Sequence, residues 1–150
     1  VIPSAARFVI VGAGVHGLST AIHLSDELGG GDGIVVLEKR HVGAGASGIS
    51  GGIVRNFYLS AAMNELVRQS VEIFELDPSL FGFRQVGYVA AVGEEQRSEL
   101  ERIAAQHEAV GYPSVLRTGA EAIDHLRTLF PDWRAEGVAA VLHEERSGWA

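Results

Sequence analysis

Three glycines carry the first chemistry in the chain. In Gly-Ala-Gly-Val-His-Gly, Gly12, Gly14 and Gly17 take the spacing G-x-G-x-x-G directly after the apolar run Phe8-Val9-Ile10-Val11. A turn of this kind brings backbone N–H groups to a phosphate. Gly12 permits the tight turn off a strand. Gly14 lets the backbone approach a pyrophosphate with no Cβ in the way, and Gly17 lets a helix sit close on the strand. The N–H groups from Val15 onward then face phosphate oxygens, and the helix dipole favours their negative charge. Glu38 is the second chemical group. It follows Gly17 by 21 residues, near the ~20 at which an acidic side chain accepts hydrogen bonds from a ribose diol. A carboxylate there also repels a 2′-phosphate, which disfavours NADP. Glycines and carboxylate together describe a dinucleotide site, and by themselves they leave NAD and FAD both open.

These groups need a strand, a helix and a second strand to hold them. Residues 7–11 read as a buried strand, short, β-branched and ended by glycine. Val15–Leu28 reads as a helix with Leu18, Ala21, Ile22 and Leu28 inward and His23, Asp26 and Glu27 outward. The glycine-rich stretch 29–33 breaks it, and Ile34–Leu37 is a second strand that Glu38 ends. The unit is βαβ in about thirty residues. A simple NAD-binding domain would continue with further βα units. Here residues 42–52 are nearly all Gly, Ala and Ser, a loop that cannot pack a core and must take its shape from contacts with something else. Gly-Gly-Ile-Val-Arg-Asn-Phe-Tyr follows at 51–58.

Beyond it, Ser60 is placed to cap a helix running through Glu75, with Met63, Leu66, Val67, Val71 and Phe74 on one face and Pro78 after its end. Residues 85–92 are strand-like. Residues 94–110 form a charged amphipathic helix with Leu100, Ile103, Ala104 and Val110 inward and Gly111 as its C-cap. Thr118 and Glu121 have the spacing of a capping box, opening a helix that carries Ile123, Leu126 and Phe130 and stops at Pro131. Residues 138–142 are a last strand. Tyr58 reads as core or as the wall of a site.

Composition excludes other chemistries. The 150 residues are 47% hydrophobic and 21% charged, about one globular domain. The net charge of −7 offers no basic footprint for nucleic acid, and no cationic cluster suggests a membrane surface. The absence of cysteine excludes disulfides, thiolate metal sites and a cysteine nucleophile within this sequence. No apolar run reaches the ~18 residues of a membrane span, and no charged-then-apolar leader opens the chain; the expected location is cytoplasmic. His16 lies in the turn and is expected to line the cofactor. His23, His107 and His125 are expected on solvated helix faces, and His41 and His143 are unassigned. No histidine pair is backed by a carboxylate at ligand spacing, so no metal site is expected. The chain opens on Val1 and stops at Gly148-Trp149-Ala150, which reads like a piece of something longer.

Five blocks, VIVGAGVHGLSTAIHL, VVLEKRHVGAGASG, GGIVRNFY, the amphipathic helix after it and FRQVGYVAAV, resemble the FAD-dependent amine oxidoreductases of the D-amino-acid oxidase superfamily. They are most similar to sarcosine oxidases, including the β subunit of the heterotetrameric kind, and to dimethylglycine oxidases and dehydrogenases. The resemblance implies an α/β fold: a Rossmann-type FAD-binding βαβ unit continuing into part of an α+β substrate domain, as a fragment of a larger fold. Residues 1–58 would be the N-terminal part of the FAD-binding domain, 59–80 a linking helix and 81–150 part of the substrate domain. Gly12, Ala13, Gly14, Val15, His16 and Gly17 match the pyrophosphate turn. Glu38, Lys39 and Arg40 match the adenosine ribose site. Gly45, Ala46, Ser47 and Gly48 match a loop running past the pyrophosphate towards the flavin ring.

Arg55 falls where monomeric sarcosine oxidases hold the substrate carboxylate, and a guanidinium suits that task by clamping it bidentately; the other reading is a surface arginine paired with an acid. The implied reaction passes a hydride from the carbon beside nitrogen to the flavin, and the imine hydrolyses. A second arginine of the monomeric enzymes is replaced here near Gly52. Ile49 stands where some relatives attach FAD through histidine, which favours noncovalent FAD. The implied partners are a small amine and the remainder of the same flavoprotein or a partner subunit. Residues 86–92 and 138–142 would expose strand edges without that remainder, and activity would require it. An FAD enzyme of another class, such as a hydroxylase, and a nucleotide-binding subunit without catalysis of its own are the alternatives.

Overall fold

The apolar tetrapeptide before Gly12 forms strand β1 (Phe8–Val11) in the computed structural model, which describes residues 3–150. The chain divides into two units, residues 1–51 and 52–150. In the first, helix α1 (Val15–Leu28) connects β1 to β2 (Ile34–Leu37), and the two strands pair in parallel from Phe8 opposite Ile34 to Val11 opposite Leu37. This is the expected βαβ unit, with its first strand one residue shorter and, contrary to expectation, not buried: Val9 and Val11 are exposed, since among the described residues β1 pairs only with β2 and α1 covers one face. Gly29 and Gly30 close α1 by donating to the carbonyls of Asp26 and Ser25. The inward stripe of α1 is Leu18, Ala21, Leu24, Ser25 and Leu28, all half-buried, whereas Ile22 is exposed. Ile22 satisfies the helical spacing from Leu18, but it turns to the margin of a stripe centred on Ala21.

The stretch 42–52 is not wholly loop. Residues Ala46–Ile49 make a single helical turn, α2. Its shape comes from its own neighbourhood: Gly48 N–H donates to the Gly43 carbonyl at 2.8 Å and Gly43 N–H to the Ala13 carbonyl at 2.9 Å. Glycine at position 48 allows this, because a Cβ there would run into the Gly43 carbonyl oxygen.

The second unit is built on an antiparallel sheet ordered β5 (Tyr88–Val92), β7 (Ala140–Glu144), β6 (Val115–Thr118), set among β3 (Ile53–Val54), α3 (Ala61–Leu76), α4 (Pro78–Phe81), β4 (Arg84–Gln85), α5 (Arg97–Ala109), α6 (Gly119–Leu129) and β8 (Gly148–Trp149). Leu100 and Ile103 of α5 pack with Ala90, Ala140 and Leu142, while Ala122 and Leu126 of α6 pack with Val141 and Ala135. The period of two along β7 sends Ala140 and Leu142 to one helix and Val141 to the other, so the strand is buried on both faces. The strand expected at 138–142 therefore starts at Ala140, ends at Glu144 and lies in the centre of its sheet, paired on both sides. It is not an open edge. Strand β6 was not expected; four residues containing Arg117 after Pro113 and Ser114 carry little strand signal.

The single strand expected at 85–92 is two strands in two sheets. β4 pairs with β8, which also pairs with β3, whereas β5 pairs with β7. Gly87, at φ +79°, divides them. α3 begins after Ser60, but the Ser60 side chain makes no capping hydrogen bond, and neither does Thr118 before α6. At α6 the Gly119 N–H finds the Ala139 carbonyl instead, so the expected capping box does not form. Leu66 of α3 is exposed, and Asn64 is fully buried in its place. Pro78 starts α4 rather than merely following α3: Asp77 Oδ1 accepts the Leu80 N–H there, at 2.9 Å. A 3₁₀ turn at Glu94–Gln96 precedes α5, which shortens the helix expected from residue 94. Gly111 takes the left-handed conformation just after the C-cap Val110. Phe130 caps α6 and lies 43% exposed, its ring edge against Trp133, rather than in the core.

Candidate functional site

The glycine turn at 12–17 is built by close approach. Gly12 has φ +104°, a conformation L side chains rarely adopt, and its N–H donates to the Leu37 carbonyl at 2.7 Å. A Cβ on Gly17 would run into the Gly12 carbonyl oxygen, so glycine alone lets α1 sit this tightly on β1. Gly14 is the N-cap of α1. Above it the Ser47 hydroxyl accepts the Val15 N–H at 2.9 Å. The first helical donor thus already faces an oxygen.

Glu38 joins the same turn. Its Oε2 accepts the Ala13 N–H at 3.1 Å and its Oε1 the Arg40 N–H at 3.0 Å. The Ala13 N–H, followed by that of Arg40, holds its carboxyl below the usual carboxylate range. Each carboxylate oxygen has a second lone pair, so both remain able to accept. Beyond the ribose contact expected of it, Glu38 ties the end of β2 to the turn after β1. Arg40 Nη2 donates to the Ala44 carbonyl at 2.7 Å. Lys39 and His16 are exposed, as are Gly45, Ala46, Ser47 and Gly48. Ala13 is buried. The structure therefore brings Ala13, Gly14, Val15, Glu38 and Ser47 together in one unit.

Arg55 belongs to the second unit. It is half-buried, just after β3, and its Nη1 donates to the Tyr88 Oη at 2.7 Å. Its guanidinium carbon stands 4.9 Å from the Tyr88 ring centroid and 6.0 Å from that of Phe57. Among the described residues no ion pair joins Arg55 to an acid, so the reading of a surface arginine matched to a carboxylate has no support in the fold.

The residue after it is fixed on every side. Asn56 is fully buried, its N–H donating to Glu144 Oε2 at 2.6 Å. Its carbonyl accepts from Asn64 Nδ2 at 3.1 Å and from His107 Nε2 at 2.6 Å. Ser147 Oγ donates to the same Glu144 Oε2 at 2.6 Å, and Tyr112 Oη meets Ser147 Oγ at 3.0 Å. Burial pushes the Tyr112 phenol up to about 12. His107 was expected on a solvated face. It is fully buried instead, because Asn56 and Ser114 satisfy both ring nitrogens. His125 is half-buried rather than solvated, its Nε2 3.2 Å from His143 Nδ1. Tyr88, Asn56 and Glu144 carry no local pattern that points to these contacts.

Residues 7–150 match the family described as FAD dependent oxidoreductase. The chain belongs to that family. It is 39% identical over 67 residues to sarcosine oxidase subunit beta of Rhizobium meliloti (strain 1021), covering 45% of this chain and 16% of that protein. It is 29% identical over 135 residues to gamma-glutamylputrescine oxidoreductase of Escherichia coli (strain K12), covering 76% of this chain and 30% of that protein. The chain thus spans less than a third of either relative. Among solved structures, L-proline dehydrogenase from P. horikoshii superposes with a TM-score of 0.84 at 24% identity, covering 99% of this chain and 39% of that one, a likeness of fold.

The cofactor of an FAD-dependent oxidoreductase is FAD, and the turn fits it on two counts. The clearance at Gly17 leaves the helix N-terminus directly behind β1, where a pyrophosphate gains both hydrogen bonds and the dipole. The Val15 N–H is already directed at an acceptor oxygen, that of Ser47.

Proposed function

We propose that this chain forms part of a flavoprotein that oxidises the C–N bond of a secondary or tertiary amine, an N-methyl amino acid such as sarcosine or dimethylglycine. One observation carries the substrate reading: Arg55 is a half-buried guanidinium without an acidic partner among the described residues, held by a neutral phenol. Such a cation is stabilised by a carboxylate that arrives with a ligand. The likeness to two relatives named for sarcosine and for gamma-glutamylputrescine supports an amine as that ligand.

Each residue then has a task. The backbone from Gly12 to Val15 binds the pyrophosphate, with Gly17 keeping α1 close and His16 at its edge. Ser47 marks the place an acceptor oxygen takes, and residues 45–48 line that side. Glu38 accepts from the adenosine ribose, flanked by Lys39 and Arg40. Arg55 clamps the substrate carboxylate and so orients the C–N bond. FAD, when bound, supplies the two-electron acceptor. Residues 1–58 serve as the first part of the FAD-binding domain, 59–80 as a linking helix and 81–150 as part of the substrate domain. The remainder of the flavoprotein, or a partner subunit, completes the site.

The test is Arg55→Ala in the holoenzyme. The KM for sarcosine should rise on the order of a hundredfold, the loss of a charge-assisted bidentate contact. The KM of an N-methyl amine without a carboxylate should not change. An unchanged KM for sarcosine removes Arg55 from the site.

A further inference from the structure

The contact between Arg55 and Tyr88 leaves one donor over. A phenol both accepts and donates. Tyr88 Oη spends its accepting capacity on Arg55 Nη1 at 2.7 Å, and among the described residues no acceptor takes its proton. Arg55 likewise has five N–H donors and gives one of them to Tyr88. A half-buried cation and a half-buried neutral O–H thus stand side by side, both with donors to spare.

Their spacing is fixed from outside. Tyr88 pairs with Glu144 in the ladder between β5 and β7. The Glu144 carboxylate in turn holds the backbone N–H of Asn56, the residue next to Arg55. Both side chains are therefore referenced to the same buried strand end, and His107 and Asn64 lock the Asn56 carbonyl from the other side. Phe57 stacks at a tilt on Tyr88, with ring centroids 5.8 Å apart, so the phenol ring has little room to swing away.

We propose that Tyr88 is the second half of the carboxylate site begun by Arg55: its Oη holds the guanidinium and its O–H donates to the carboxylate lying against it. The ligand class is the α-carboxylate of a small amino-acid-like amine. The inference rests on the reading of Arg55 as a carboxylate clamp. No sequence pattern assigns Tyr88 this role; it follows from a donor left without an acceptor beside an arginine left without an acid.

Binding of methoxyacetate, a carboxylate that lacks the amine, tests it in the holoenzyme by calorimetry, alongside sarcosine kinetics. Tyr88→Phe keeps the ring and removes only the oxygen. It should weaken methoxyacetate and raise the KM for sarcosine about tenfold, the share of one hydrogen bond to a charged group, with the melting temperature and the KM of a carboxylate-free N-methyl amine unchanged. Unweakened methoxyacetate binding in Tyr88→Phe, with weakened binding in Arg55→Ala, overturns the role of Tyr88 and leaves that of Arg55 standing. Unweakened binding in Arg55→Ala, or no binding by the wild type, overturns both. Should Tyr88→Phe lower the melting temperature, 3-fluorotyrosine at position 88, a stronger donor, separates the roles. Tighter methoxyacetate binding is then expected, and unchanged binding overturns the proposal.

Discussion

Glu38 ties the first unit together and, in the proposed reading, serves the ligand as well. Its two backbone donors hold the carboxyl below its ordinary range, Ala13 first and Arg40 second. A carboxylate with a depressed value contributes stability that is present above its unfolded value and lost as pH falls through the folded one. FAD affinity should therefore hold through the ordinary range for glutamate and fall only at more acidic pH. Glu38→Gln should lower FAD affinity about tenfold and remove that acid limb; equilibrium dialysis against pH reads both. Glu38 and the glycines were legible in the sequence because their chemistry lies in residue type at short spacing. Tyr88 was not. Its partner Arg55 is 33 residues away, and Asn56 meets Glu144 across 88. Arg55 itself was legible only through resemblance, since a lone arginine has no spacing to be read.

At the scale of elements, what the sequence disclosed followed from period and punctuation. The βαβ unit emerged because β-branched runs, a helical stripe and glycines agreed on the same boundaries. The errors arose where long-range pairing decided. The strand-like stretch at 85–92 was cut in two by Gly87, and β7 became central because β5 and β6 pair with its two edges. His107 illustrates the same limit: a polar residue on a charged helix is buried because Asn56 and Ser114 meet it from other elements. His107→Leu should lower the unfolding free energy by about 2 kcal/mol, from the loss of the buried contacts to the Asn56 carbonyl, which keeps Asn64 as a donor, and to the Ser114 hydroxyl, as measured by chemical denaturation. The contact of α6 with β7 should respond to pH. Burial, and then His125, lowers the His143 value below 6.5. A histidine depressed in the fold gives stability that is full above its unfolded value and drains away as pH falls through it. Melting temperature should drop as pH falls below 6.5, and His143→Gln should flatten that limb.

At the scale of the whole chain there are two units. Exposed apolar side chains occur in both, Val9 and Val11 on β1 and Leu66, Ile73 and Leu76 on α3. The chain covers 16% and 30% of its two curated relatives. The proposed reaction therefore needs more polypeptide than these residues, and the isolated 150-residue chain should show no amine turnover in an oxygen-consumption or dye-reduction assay; turnover by it alone would refute the requirement for the remainder. The family membership fixes the cofactor, and in the proposed reading Arg55 with Tyr88 carries the substrate class. The most direct test of that central claim is anaerobic mixing of the intact holoenzyme with sarcosine, dimethylglycine and carboxylate-free N-methyl amines while the visible flavin band is followed. Bleaching by the N-methyl amino acids, far faster than by amines without a carboxylate, is the predicted result. A flavin that stays oxidised with every N-methyl amino acid, or that bleaches equally fast without the carboxylate, would contradict it.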